Sequence, residues 1–297
     1  MDIEEFLKLV CDELKEYTSK ADKLCKLLRL DFSGGKLPDY SDENIQQLYL
    51  LRYAFAYIFE YTEMYKTLLE TIPPSKSISV TSLGCGAMLD YAALRMALKK
   101  TDNVGTVVDY MGMDTVFWKY SMPVHSGDSV CTRQDNAAVY MNEIENLSSD
   151  IYIFPHSISD FTQDDFDSMC NAFATKHILK ERIHILFSLR ADKKSNEMDD
   201  KRCRRIIEAV ESNSHKLKTD YNVNADDPKY NKAIISIDGE FCYPDDVLYF
   251  VKHLFHRCNE HKNCAEDYCN DTINRSPVLY AKHMRTYIKT FERREPL

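Results

Sequence analysis

The stretch Ser77-Ile-Ser-Val-Thr-Ser-Leu-Gly-Cys-Gly-Ala-Met-Leu-Asp90 decides the fold. Its first half alternates apolar and β-branched residues with serine and predicts a strand, and the residues after Gly86 predict a helix. Gly84 and Gly86 lie where the strand turns into the helix. Because glycine has no Cβ and tolerates positive φ, such a backbone can come close to a ligand, toward which the helix also points its free N–H groups. The pattern therefore predicts a nucleotide-like cofactor at this turn.

Strands and helices alternate from this stretch onward. Besides the strand at 77–83, we predict strands at 105–114, 123–132, 150–155, 182–189, 233–238 and, as a long edge strand, 278–291. We predict helices at 88–99, 136–147, 162–176, 196–213 and 245–261, and a loop in the polar stretch 220–232. Alternation of this kind is typical of a mostly parallel sheet with helices on both faces, so we expect an α/β fold.

Residues 1–72 precede this pattern and predict two helices. The first covers 2–31, where apolar residues recur near helical spacing. The second is capped by Ser41, runs to about Thr71 and carries seven aromatic residues. We interpret this aromatic stripe mainly as core, with the alternative that a few tyrosines face a substrate pocket. The predicted organisation is an N-terminal helical cap region at 1–72 and an α/β domain at 73–297.

The glycine turn and Asp114, which lie at the ends of two strands, are candidates for cofactor binding. In an open α/β sheet, ligands bind beyond the carboxyl ends of the strands. The first strand ends at Gly84-Cys85-Gly86, and the second ends at Asp114, whose carboxylate can accept two hydrogen bonds from a ribose diol. Phe117 and Trp118 follow and can stack on an adenine ring. The structural alternatives are a plain glycine turn, a helix cap at Asp114 and a core position for Trp118.

The fourth strand ends in Phe154-Pro155-His156-Ser157. We expect Phe154 and Pro155 to lie beside the reactive end of the cofactor, His156 to accept a proton near neutral pH and Ser157 to hydrogen-bond a substrate. An ordinary polar loop residue is the alternative for His156. The third glycine of a dinucleotide fingerprint and the lysine of a P-loop are both absent from the glycine turn, which favours a cofactor without a pyrophosphate over NAD or ATP.

Three segments in order resemble the class I S-adenosylmethionine-dependent methyltransferases. They are Val80-Thr-Ser-Leu-Gly-Cys-Gly86, Tyr110-Met-Gly-Met-Asp114 and Asp150-Ile-Tyr-Ile-Phe-Pro-His156, and the likeness covers roughly residues 75–240. The resemblance implies a Rossmann-like sheet with an antiparallel last strand. It also implies that the turn at Gly84 and Gly86 approaches the methionine part of S-adenosylmethionine and that Asp114 binds its ribose. Asp90, one turn into the helix, is then expected to help hold the methionine amino group, directly or through water.

The chain departs from the family pattern at two points. Asp114 follows Gly86 by 28 residues, a longer gap than usual in the family, so Asp109 is a rival for the ribose role. The segment Phe154-Pro-His-Ser157 differs from the Asn/Asp-Pro-Pro-Tyr/Phe pattern of enzymes that methylate amino groups of bases or glutamine. This difference argues against methylation of DNA bases or of RNA adenine.

Composition narrows the classes of partner. A net charge of −9 argues against extended, non-specific binding to nucleic acid, although basic clusters at 193–205 and 285–294 remain. No apolar run reaches the roughly 18 residues of a membrane helix, and the acidic first residues are unlike a secretory or mitochondrial leader. With ten cysteines interpreted as reduced thiols, we expect a cytoplasmic protein without a membrane partner.

A second group of chemically active side chains lies in an insert predicted at about 242–275. It comprises Cys242, His253, His256, Cys258, His261, Cys264 and Cys269. The spacing matches no common Cys-x2-Cys zinc pattern, so we interpret the group as buried thiols and solvated histidines and predict no metal site. A structural zinc ion is the alternative.

These observations predict S-adenosylmethionine-dependent methyl transfer to an unidentified acceptor, with His156 as a candidate base. A small molecule or a protein is favoured as acceptor over nucleic acid, and the N-terminal helices are expected to cap its pocket. Two alternatives stay open. One is a non-catalytic protein that binds S-adenosylmethionine or a nucleotide, or serves interactions, on the same fold, and the other is an RNA- or DNA-modifying methyltransferase that uses the basic clusters.

Overall fold

Helices and the strands of one large sheet alternate through the described part of the chain. In this computed structural model the described residues are 2–21, 24, 27, 30, 38–189, 196–224, 233–237, 239–254, 276–281 and 284–294. The helices are α1 (Ile3–Lys20), α2 (Glu43–Leu69), α3 (Leu89–Lys100), α4 (Ala137–Glu143), α5 (Gln163–Thr175), α6 (Asn196–Ser212) and α7 (Asp245–Lys252). The strands of the large sheet are β1 (Ser77–Leu83), β2 (Val107–Asp114), β3 (Ser129–Gln134), β4 (Ile151–Pro155), β5 (Arg182–Ser188), β6 (His215–Asn224) and β7 (Arg285–Arg293).

The large sheet has the strand order β3-β2-β1-β4-β5-β7-β6. All neighbouring pairs from β3 to β5 are parallel, whereas β7 runs antiparallel to both β5 and β6. The predicted fold class, a mostly parallel sheet with an antiparallel last strand, is therefore confirmed. Strand order reverses between β1 and β4, so the loops that follow these two strands open a crevice at the carboxyl edge.

Side chains that alternate along each strand build a separate core on each face of the sheet. Along β4, Ile151 and Ile153 join the core formed with α1, α2, α3 and α7. Tyr152 and Phe154 point the other way and join the core formed with α4, α5 and α6. Both faces of the sheet are thus covered by helices.

The two N-terminal helices share a hydrophobic core with the sheet. α1 buries Leu7, Val10 and Leu14 at helical spacing, and its N-terminus carries a capping box between Asp2 and Glu5. α2 contacts α1, α3 and α7 and is buried along most of its length. The helices are shorter than predicted at 2–31 and 41–71, and the cap of α2 is Asp42, rather than Ser41, because its side chain accepts the N–H of Asn44 at 2.9 Å.

Three predictions for the C-terminal part are wrong. The last strand lies between β5 and β6 instead of at an edge. Residues 220–224, expected in a loop, belong to the edge strand β6, where Asp220 lies opposite Lys289 of β7 and accepts a hydrogen bond from its ammonium group. In its described part, the strand predicted at 233–238 is reduced to Ser236–Ile237, which pairs with Phe241–Cys242, and Ala233 forms an isolated bridge with Tyr280. A polar edge strand stabilised by cross-strand charge pairs lacks the apolar signal used to predict strands.

The predicted Cys/His group lies largely outside the described residues. Of its members only Cys242, which is exposed, and His253, whose Nδ1 lies 2.8 Å from the carbonyl oxygen of Tyr249, are described. Among the described side chains, no group of three or more His, Cys, Asp or Glu residues could hold a metal ion. None of the described helices is both long enough and apolar enough to cross a membrane.

The shared core yields a prediction about the N-terminal helices. We expect a chain that lacks residues 1–72 to lose cooperative folding, because the deletion uncovers apolar side chains of α3, β1 and β4 that pack in the same core. Circular dichroism during thermal unfolding measures this. A soluble 73–297 fragment with a cooperative transition would contradict the single core and support an independent α/β domain.

Candidate functional site

The turn after β1 has two glycines with left-handed backbone angles, φ +86° at Gly84 and +51° at Gly86. The Gly84 N–H donates a hydrogen bond to the carbonyl of Met113 at 2.8 Å, which ties the turn to the end of β2. A Cβ at Gly84 would lie 2.5 Å from the Cβ of Ser157, whereas a Cβ at Gly86 would lie 3.6 Å from the Trp118 ring, an ordinary contact. The missing side chain at Gly84 therefore makes room for the loop after β4.

Asp114, the last residue of β2, holds this turn in place. Its Oδ2 accepts the N–H of Gly86 at 2.9 Å, and its Oδ1 accepts the N–H of Val116 at 2.9 Å. Burial raises the pKa of Asp114, and the two backbone hydrogen bonds oppose that rise. Each carboxylate oxygen retains a second lone pair, so Asp114 can still accept hydrogen bonds from ligand hydroxyls.

An aromatic wall, defined as Tyr40, Tyr49, Tyr57, Trp118 and His156, faces the glycine turn. The Trp118 ring lies 5.1 Å from the ring of Tyr40 and 5.3 Å from that of Tyr49, centroid to centroid. Tyr49 and Tyr57 are 6.2 Å apart, and Tyr57 stacks on the imidazole of His156 at 4.4 Å. Tyr49 and Tyr57 come from α2, so the second N-terminal helix contributes directly to this site.

His156 begins the loop after β4 with a left-handed backbone, φ +56°. Its Nε2 lies 3.1 Å from Oε2 of Glu60 on α2, and Oε1 of Glu60 accepts the hydroxyl of Ser188 at 2.8 Å. Ser188, at the end of β5, also accepts the backbone N–H of His156 on its carbonyl at 3.0 Å. The imidazole is thereby attached to the sheet and to α2 at the same time.

These elements enclose a cavity of about 290 Å³ at the carboxyl edge of the sheet. It is lined by Tyr40, Tyr49, Tyr57, Gly84, Gly86, Met113, Asp114, Thr115, Val116, Trp118, Asp135, Asn136, Ala137, Pro155, His156, Ser157, Asp160, Phe161, Thr162 and Asp165. Within this described lining four side chains are carboxylates and none is lysine or arginine. The cavity therefore has an acidic and aromatic character.

The structure brings six of the nine predicted site residues to this cavity: Gly84, Gly86, Asp114, Trp118, Pro155 and His156. Ser157 also lines it, but its hydroxyl donates to the carbonyl of Leu83. Asp109, the rival for the ribose role, is exposed in the middle of β2, and Phe117, named with Trp118 for adenine stacking, is exposed on the surface. Neither lines the cavity.

The other three predicted residues, Cys85, Asp90 and Phe154, lie in the core behind the cavity. The sulfur of Cys85 packs closely against Gly112 of β2, and burial raises the pKa of this thiol. The ring of Phe154 stacks on that of Phe187 at 5.2 Å. Asp90 is fully buried and accepts the hydroxyl of Tyr110 at 2.9 Å, and burial raises its pKa to about 6.

Sequence reasoning missed two acidic residues at the site. Glu60 lies 96 residues before His156 in a helix interpreted as a cap, although an acidic residue within the aromatic run of that helix is itself a signal. Asp135 follows β3, next to Asp114 in space, and its N–H donates to the carbonyl of Asp114 at 2.9 Å. It was missed because the third strand was placed at 123–132 instead of Ser129–Gln134.

Comparison with solved structures finds S-adenosylmethionine-dependent methyltransferases. One, from Archaeoglobus fulgidus, is 12% identical, with a TM-score of 0.36 over 78% of this chain and 94% of its own. The plantazolicin methyltransferase BpumL, solved with S-adenosylhomocysteine, is 9% identical, with a TM-score of 0.38 over 96% and 100%. The geranyl diphosphate C-methyltransferase from Streptomyces coelicolor, solved with the same product, is 9% identical, with a TM-score of 0.35 over 78% and 80%.

No protein-family model and no curated protein matches the chain. The structural matches are low in both identity and TM-score. The proposal for function therefore rests on the geometry of the cavity.

The close packing at Gly84 predicts a stability effect. Gly84→Ala places a Cβ 2.5 Å from that of Ser157 at a positive φ, so we expect a loss of about 2–4 kcal/mol in the free energy of unfolding. Gly105→Ala is the matched control, because nothing lies within 4 Å of the added Cβ and the backbone there is not left-handed. Urea unfolding of both variants measures the difference, and equal stabilities would contradict the close approach.

Asp90 predicts a pH dependence of stability. Its pKa is about 6 in the folded protein and about 3.9 in an unfolded chain, so the folded state binds the proton more tightly. The free energy of unfolding should then fall as pH rises from about 4 to about 6. We expect Asp90→Asn to gain on the order of 2 kcal/mol relative to wild type between pH 4 and pH 7. Urea unfolding at both pH values tests this, with the exposed Asp109→Asn as control, and parallel curves for Asp90→Asn and wild type would contradict it.

Proposed function

We propose that this protein binds S-adenosylmethionine in the acidic and aromatic cavity and transfers its methyl group to a small-molecule or protein acceptor. One observation carries the proposal. The carboxylate of Asp114, the backbone of the glycine turn and an oriented histidine, His156, line one cavity at the point where strand order reverses. This arrangement joins acceptors for a ribose to a group that can take a proton.

The residues present fit the parts of this cofactor. Asp114 can accept hydrogen bonds from ribose hydroxyls, and Asp135 can accept one from the exocyclic amine of adenine. The aromatic wall offers ring faces that attract the positive charge of a sulfonium. When bound, S-adenosylmethionine supplies an electrophilic methyl group. The role of Asp90 toward the methionine amino group stays a prediction, since its carboxylate is bonded to Tyr110 in the core.

The charge of the cavity supports the preference for a small-molecule or protein acceptor. A lining of carboxylates without a described lysine or arginine disfavours a phosphate-bearing acceptor. Most of the described members of the basic clusters have partners within the chain. Arg205 pairs with Asp167, Lys289 pairs with Asp220, and Arg202 donates to two backbone carbonyls. These contacts leave the nucleic-acid alternative without specific support.

Calorimetry with S-adenosylmethionine and S-adenosylhomocysteine tests the site. We expect micromolar binding by the wild-type protein and a loss of about tenfold or more in Asp114→Ala, because hydrogen bonds to a charged group contribute about 1.5–3 kcal/mol each. Gly86→Arg should abolish binding by filling the turn. Asp109→Ala is the matched control on the same strand, because Asp109 is exposed away from the cavity.

Each result assigns the chain to one of the alternatives. Unchanged affinity in both Asp114→Ala and Gly86→Arg would refute the site. Binding without transfer of a labelled methyl group to any acceptor in metabolite or protein extracts would favour the non-catalytic alternative. Binding of RNA or DNA that weakens steeply with salt would favour the nucleic-acid alternative.

A further inference from the structure

His156, Ser188 and Glu60 form a closed circuit of polar contacts. The backbone N–H of His156 donates to the carbonyl of Ser188, the hydroxyl of Ser188 donates to Glu60, and Glu60 contacts the His156 ring. The side chains of His156 and Glu60 are only 10% and 7% exposed. Burying a carboxylate this deeply lowers the stability of the fold unless hydrogen bonds or a charged partner compensate. The burial of Glu60 therefore points to a defined task for this residue.

The circuit determines which ring nitrogen carries the proton. Both oxygens of Glu60 are acceptors, one toward Ser188 and one toward Nε2 of His156 at 3.1 Å. A neutral imidazole has one N–H and one lone pair, so the acceptor at Nε2 selects the Nε2–H tautomer. Nδ1 then carries the lone pair.

Nδ1 is buried and has no hydrogen-bond partner among the described residues. A buried acceptor without a partner costs about 1–3 kcal/mol, and the left-handed backbone of His156, φ +56°, adds strain. Tyr57 stacks on the ring at 4.4 Å and holds its plane. The ring lines the cavity, so a ligand that carries a hydrogen-bond donor can supply the missing partner when the side chains that cover Nδ1 move aside.

We propose that Glu60 is a positioning residue that presents Nδ1 of His156 as the proton acceptor, and that the methyl acceptor carries hydrogen on the atom that is methylated. This inference rests on the proposed function. The acceptor is then a hydroxyl, thiol or N–H compound. Its lone pair forms the new bond to the methyl carbon, the carbon–sulfur bond breaks, and the electron pair of that bond stays on sulfur. The hydrogen leaves the acceptor as a proton and binds Nδ1.

The tautomer can be measured on the intact protein without knowing the acceptor. Nitrogen-15 NMR distinguishes protonated from unprotonated ring nitrogens, and His156→Gln identifies the signals of this ring among the nine histidines. In wild-type protein saturated with S-adenosylhomocysteine, we expect a protonated Nε2 and an unprotonated Nδ1. Glu60→Gln, which keeps an oxygen acceptor, should retain this tautomer. Glu60→Met, which has no comparable acceptor, should produce a mixture of both tautomers.

A matched control and a separate readout keep this inference distinguishable from the proposed function. Glu63→Gln changes a carboxylate one turn further along α2 that pairs with Lys66, and it should leave the His156 signals unchanged. A proton on Nδ1 in the wild-type protein overturns the inference, as does an unchanged tautomer in folded Glu60→Met. Failure to bind S-adenosylhomocysteine in calorimetry would instead refute the proposed function, whatever tautomer is found.

Transfer of a carbon-13-labelled methyl group from S-adenosylmethionine into a small-molecule extract tests the acceptor class. The carbon-13 chemical shift of the product identifies the atom that received the methyl group. A methyl group on an oxygen, nitrogen or sulfur atom that bore hydrogen agrees with proton transfer to His156, and a methyl group on carbon contradicts the inferred acceptor class. A methyl group on an atom that bore no hydrogen contradicts it.

Discussion

The close approach of Gly84 to Ser157 is the constraint on which the cavity depends. Because Gly84 has no Cβ, the loop after β4 packs directly against the turn after β1, and the hydroxyl of Ser157 bonds to the carbonyl of Leu83. This contact joins the two strands between which the order of the sheet reverses. It also fixes His156, the residue before Ser157, at the edge of the cavity. The bare backbone at Gly84 thus serves packing within the protein, and the cavity lies in front of it.

Helix α2 completes the site because it shares the core of the sheet. α2 buries Phe55 and Tyr65 in that core and presents Tyr49 and Tyr57 to the cavity. Glu60 lies one turn beyond Tyr57 and reaches both His156 and Ser188. A helix so firmly packed cannot shift without disturbing the imidazole. Core packing and the orientation of His156 are therefore coupled through a single helix.

The sequence was a good guide to the backbone of the site and a weaker guide to its side chains. The predicted span of β1 is the observed one, Ser77–Leu83, and Asp114 ends β2 as expected. The direction of Phe154 was not predictable, because a strand residue and its neighbour face opposite sides and only the packed structure decides which side is the cavity. Glu60 was missed for a different reason, since its contact with His156 joins residues 96 positions apart. The edge strand β6 was missed because its residues are polar.

Under the proposed mechanism Glu60 also has an electrostatic role at His156. Methyl transfer removes the positive charge from sulfur, and proton transfer to Nδ1 creates a positive imidazolium at His156. The carboxylate of Glu60, 3.1 Å from Nε2, lies where it stabilises that new charge, and burial strengthens the interaction relative to water. Attraction to the carboxylates that line the cavity is likewise retained, because the positive charge moves within the site and does not disappear. The same residue that selects the tautomer therefore favours the charge that forms as the proton is transferred.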